Sequence, residues 1–60
     1  MTKITTFEKI INTCIKTENF AIETYGSFEK ATDNEELKTF WAQMIVEEKD
    51  HLRYWEILLD

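Results

Sequence analysis

The chain has 60 residues and a net charge of −5, with seven Lys and Arg against twelve Asp and Glu. A chain this short removes only about 60% of its unfolded surface from water when it folds alone, so a second copy is expected. Hydrophobic residues at 43% and charged residues at 32% describe a folding domain rather than a disordered segment. The acidic balance argues against nucleic acid or an anionic membrane surface as partner. No apolar run approaches the roughly 18 residues of a membrane span. Met1 to Thr6 lacks the basic and apolar blocks of a secretory leader, so a cytoplasmic protein is expected. The single cysteine, Cys14, excludes an internal disulfide and a Cys-rich zinc or iron–sulfur site.

With no Pro and one Gly, the punctuation that divides a chain into strands is nearly absent, and helices are the default. Thr5 followed by Glu8 has the form of a capping box, and the first helix is predicted over about 6–31. The break falls at Ala31-Thr32-Asp33-Asn34, where Asp33 with Glu36 reads as a second capping box and predicts a second helix over about 34–59. The connection is so short that the two must be antiparallel neighbours, an αα-hairpin with arms of about 40 Å. The expected fold class is all-α: a single domain, residues 1–60, whose two-helix hairpin dimerises into a four-helix bundle.

Steps of four and three along the first helix give Phe7, Ile11, Cys14, Glu18, Ala21, Tyr25 and Phe28; along the second they give Leu37, Trp41, Met44, Glu48, His51, Trp55 and Leu58. Flanking Ile10, Ile15, Ile22, Phe40, Ile45, Leu52 and Leu59 widen both stripes, so Glu18, Glu48 and His51 fall inside an apolar face. Glu18 and Glu48 are each fifteen residues from Asp33, which puts them at one level about 22 Å from the turn, with His51 one turn beyond Glu48. An unpaired carboxylate in an apolar interior costs several kcal/mol or takes up a proton, and no Lys or Arg occupies either seam. A metal is the simplest compensating charge. Two hairpins related by a two-fold axis bring four Glu and two neutral His together, which balances two divalent cations and leaves positions open for water or oxygen species.

Glu18, followed thirty residues later by Glu48-Lys49-Asp50-His51, resembles the di-iron signature of the ferritin-like superfamily, in which one helix donates Glu and the next Glu-x-x-His. By chance alone a Glu stands three places before the only His in about one case in seven, so it is the shared register with Glu18 that gives the motif weight. Glu18-Asn19-Phe20-Ala21-Ile22-Glu23-Thr24-Tyr25 resembles the first-helix segment of rubrerythrins, and Ile45-Val46-Glu47-Glu48-Lys49-Asp50-His51 resembles their second. One helix pair in place of four helices is similar to the half-length encapsulated ferritins. The resemblance implies a homodimer, open to higher oligomers, holding two Fe ions per dimer at Glu18, Glu48 and His51, with Mn as the alternative. It implies a ferroxidase- or rubrerythrin-like oxidoreductase that oxidises Fe(II) with O2 or H2O2. Tyr25 matches a rubrerythrin tyrosine that hydrogen-bonds near the metals, and is equally readable as core. The Cys pairs of a rubredoxin-type module are missing, and the sequence stops at Leu59-Asp60 with no encapsulation peptide, which weakens peroxidase and cargo roles.

Glu47, pointing sideways from the seam, is expected to be a solvated charge, and Cys14, Trp41, Trp55 and Phe40 to be packing. Phe20, Tyr54 and Ile57 point away from the seam as a further contact between dimers or as ordinary surface. Gly26 is read as a point of close helix approach beside Tyr25, offsetting about 1 kcal/mol of lost helix propensity. Two other functions stand beside the enzyme: a metal- or redox-sensing dimerisation module of a larger protein, and a metal-free structural hairpin.

Overall fold

The computed structural model describes residues 5–59. Residues 1–4, read above for a leader, and Asp60 lie outside the described part. Two helices make up the fold, α1 over Thr6–Ala31 and α2 over Glu35–Leu59. They form the antiparallel hairpin that the short connection requires, with no strand among the described residues. Neither helix is long and apolar enough to cross a membrane.

The start of α1 follows the sequence signal. Thr5 caps it, its hydroxyl accepting from the Glu8 amide at 3.1 Å while Glu8 accepts from the Thr5 amide, which satisfies amides that have no partner inside the helix. At the other end no glycine is used. Thr32 leaves the helix in an extended conformation, φ −90° and ψ 130°, and its hydroxyl donates to the Phe28 carbonyl at 2.7 Å. Inside the helices, Thr13, Thr17, Thr24 and Thr39 donate to the carbonyl four residues earlier, so these hydroxyls need no tertiary partner.

The start of α2 differs from the expectation by one residue. Asn34, not Asp33, is the cap: its side-chain oxygen accepts from the Leu37 amide at 3.0 Å, and its own carbonyl accepts the first helical bond, from Lys38 at 2.9 Å. Either side chain can cap a helix. With Thr32 already extended, the chain uses residues 32–34 to reverse, which moves the first helical position to Glu35. The capping box of Asp33 with Glu36 is therefore not formed, while Glu35 and Glu36 keep their place in the first turn, where the helix dipole favours negative charge.

The Cα trace measures 50 × 16 × 13 Å, so the hairpin is one layer thick and encloses few side chains. Ile11, 3% exposed, is the one buried residue among those described. Seam members that the spacing placed in an interior remain about half exposed, among them Phe7 at 54%, Phe28 at 45%, Leu37 at 49% and Leu58 at 53%. The register is the expected one. Tyr25 and Trp41, each eight residues from Asp33, stack with ring centroids 5.6 Å apart and 22° between planes. Phe28 and Phe40 close on the same indole at 4.9 and 5.0 Å. Gly26 departs from expectation: a Cβ there would meet nothing within 4 Å, so no close approach within the hairpin requires a glycine.

The polar residues cluster by side of the hairpin. Ile10 and Phe28 are eighteen residues, five whole turns, apart on α1; Phe40 and Leu58 have the same spacing on α2, and His51 is three turns from Phe40. Because Phe28 and Phe40 meet the same Trp41, all five share one side. They are its exposed surface, from 45% at Phe28 to 56% at Ile10. Asn12 and Asn19 on α1, with Lys49 and Glu56 on α2, occupy the opposite side and are exposed polar groups.

Candidate metal centre

Glu18, Glu48 and His51 come together midway along the hairpin, each offering one ligand atom within 4.8 Å of the others. His51 Nδ1 lies 3.9 Å from Glu18 Oε2 and 3.9 Å from Glu48 Oε1. Those separations are too long for hydrogen bonds. They are the size of a coordination shell, since two atoms each about 2.1 Å from one ion lie at most about 4.2 Å apart. Closing the group onto one ion brings these atoms nearer to one another, a movement that rotation of the exposed His51 ring can supply.

Each member is where helical geometry puts it. Glu48 and His51 are one turn apart on α2 and project from the same face. Glu18 comes from the facing helix at the level of Glu48. The carboxylates are enclosed by the seam, with 16% and 15% of their side-chain surface exposed, whereas the imidazole is 54% exposed on the apolar side described above. Glu47, the rival for the second position, is exposed, as a sideways-pointing charge should be.

The electrostatics are unresolved within one hairpin. Glu18 Oε2 is buried and makes no hydrogen bond, and among the described residues no Lys or Arg pairs with either carboxylate. Hydrogen bonding to the Glu18 carboxyl, partial burial and the negative charge of Glu18 push the Glu48 pKa above its ordinary value, and His51 only partly opposes this. Glu48 facing Glu18 thus takes up a proton more readily than an isolated carboxylate does. Two hard oxygen donors and one imidazole are a donor set that suits Fe, Mn and related divalent ions, and the orphaned Glu18 oxygen supplies an acceptor with nothing yet to accept.

Tyr25 lies two turns along α1 from Glu18, with its ring on Trp41, and is not part of the group. Cys14, a half-buried free thiol one turn before Glu18, is also outside it. Trp55, read as packing, is half-buried with its indole Nε1 enclosed and lacking an acceptor, a detail that residue spacing cannot reveal. Comparison of the chain with known protein families, curated proteins and solved structures finds no match.

Proposed function

We propose that this chain is half of a ferritin-like di-iron carboxylate bundle: two copies pair through the side that exposes His51, hold two iron ions on their combined Glu18, Glu48 and His51, and oxidise Fe(II) with O2 or peroxide. The observation that carries this reading is the Glu18–Glu48 pair, two enclosed carboxylates at one level with a buried oxygen unpartnered and, among the described residues, no Lys or Arg paired with them. Such a pair is costly unless something positive sits between its members.

Pairing by a second copy is supported by where the exposed apolar side chains fall. Ile10 and Phe40 lie about 12 Å to either side of the Glu18–Glu48 level, and Phe28 and Leu58 about 15 Å to either side. A two-fold axis crossing the helices at that level superposes these positions, so one operation covers the apolar residues and doubles the ligand set. These four side chains and the His51 ring are each about half exposed on that side, so a second copy there removes apolar surface from water.

Iron bound there supplies one-electron chemistry with oxygen species. The residues of the chain do the rest. Glu18 and Glu48 bind as carboxylates, so metal competes with protonation of the pair and metal uptake falls as pH falls. His51 binds as the neutral imidazole through Nδ1, the nitrogen that already faces both carboxylates. Ile15, Ile22, Ile45 and Leu52, half-buried around the pair, limit water access and hold the carboxylates apart from bulk solvent.

The test is elemental analysis and solution mass of protein purified without added metal, followed by anaerobic Fe(II) titration and exposure to air. Expected are two irons per dimer and a near-ultraviolet ferric absorption that develops faster than in protein-free buffer, both abolished by Glu48→Ala. Manganese in place of iron would appear in the elemental analysis. A chain that neither binds Fe(II) nor speeds its oxidation overturns the reading.

A further inference from the structure

The long outer edges of the hairpin, away from both the seam and the His51 side, carry a second pattern that the proposed metal site does not use. On the α1 edge, Phe20 is the most exposed large apolar residue of those described, at 71%, and Lys16 stands one turn before it. On the α2 edge, Val46 is 54% exposed, and Asp50 stands one turn after it. Phe20 and Val46 are each thirteen residues from Asp33, and Lys16 and Asp50 are each seventeen, so at these two levels the edges present the same ordering with opposite charge, while Ile57, 63% exposed on the α2 edge, falls level with Lys9. Lys30 and Glu35, three and two residues from Asp33, add a further opposed pair near the turn. Among the described residues neither Lys16 nor Asp50 forms an ion pair, and Arg53, a cation on the α2 edge, falls level with Thr13, a hydroxyl acceptor.

We infer that the α1 edge of one copy binds the α2 edge of the next, side by side and in register, with Phe20 against Val46 and Lys16 against Asp50. The helices meet antiparallel, as α1 and α2 do within the hairpin. Desolvation of Phe20 and Val46 supplies the affinity, while the exposed ion pairs, each worth at most about 1 kcal/mol, select register and partner edge. The two patches are different surfaces of the same chain, so the contact is heterologous: it closes into a ring if the rotation between neighbours permits and otherwise extends as a row of hairpins. It is independent of Glu18, Glu48 and His51, and failure of the metal reading leaves it standing.

The experiment uses the full chain with Cys14→Ser, Ser27→Cys and Thr39→Cys, oxidised in the presence of a chelator at low salt. Both new positions are exposed, each is six residues from Asp33 and two turns from Phe20 or Val46 on its own edge, and Phe20 and Val46 stay in place. The two new thiols lie on opposite edges and cannot pair within one hairpin. A reducible ladder of two, three and more chains is expected, whereas either single cysteine variant stops at two. Adding Lys16→Glu should slow ladder growth at least about tenfold, and Lys16→Glu with Asp50→Lys should restore it, helicity by circular dichroism being the same in all variants. Absence of species beyond two chains, or a ladder indifferent to charge reversal, overturns the inference.

Discussion

Replacing Glu18 by Gln should stabilise the metal-free protein and abolish its response to metal. In the chelated wild type, two carboxyl groups whose ligand atoms lie within 4.8 Å face each other, and one oxygen of Glu18 is buried without a partner. Glutamine keeps the shape, removes one charge and offers an amide N–H to the Glu48 carboxylate. A net gain of about 1 kcal/mol is expected from that hydrogen bond alone, which in a domain of this size raises Tm by about 4–8 °C. With metal at about 100 times its Kd, the wild type gains about 2.7 kcal/mol for each binding event, and the variant loses most of it. The mutation therefore changes sign with metal: the Glu18→Gln protein melts higher in chelator and lower in saturating Mn(II), an ion that avoids oxidation during the scan. Circular dichroism melts at pH 7, at one protein concentration, make the measurement. A Glu18→Gln variant that melts below wild type in chelator, or the same metal shift in both proteins, would refute the idea that the carboxylates are held together for a cation.

The same pair sets a pH dependence. The folded-state pKa of Glu48 is raised above its ordinary 4.5, so the stability it contributes is complete below that value and is lost as pH rises through the raised one. The Tm advantage of Glu18→Gln in chelator should accordingly be largest at pH 7 and shrink toward pH 4.5. Ile10→Glu puts a charge on the apolar side far from any ligand; solution mass should show dimer formation weakened at least about tenfold, and iron stoichiometry should fall with it. Gly26→Ala should raise stability by about 0.5–1 kcal/mol, since the helix gains propensity and the new methyl meets nothing within 4 Å. Asn34→Ala should cost about 1 kcal/mol in the same melts and Asp33→Ala within about 0.5, separating the cap from its neighbour.

Helix number, register and the level of the three polar seam residues were legible because each follows from a period or a cap. Thr5 with Glu8 is a two-part signal and was placed correctly, whereas Asp33 and Asn34 are adjacent residues of equal capping ability, and only the reversal at Thr32 decides between them. Periodicity put Tyr25 opposite Trp41 but says nothing of ring planes, so the stack was not foreseen. Gly26 was read as a contact point because a glycine in a helix asks for a reason, and packing supplies none within the hairpin. Seam spacing predicts an interior, and two rods of 26 and 25 residues have too little width to enclose more than a few of its members.

That last difference bears on how the site comes to exist. In a chain that buries only Ile11 among its described residues, an enclosed carboxylate pair cannot be a by-product of a dense core. The pair is enclosed because both residues sit on the seam itself, while His51, one turn on and toward the apolar side, stays half open. Two unmet requirements therefore meet in one hairpin: apolar surface, flanking the carboxylate level on the His51 side, that one copy cannot cover, and charge on the seam that one copy cannot neutralise. In the proposed dimer a second copy would meet the first requirement directly, and by doubling the ligands would make a neutral centre with two divalent ions, which would meet the second. Folding, pairing and metal uptake are on this account one linked equilibrium, and each should show the concentration dependence of the other two.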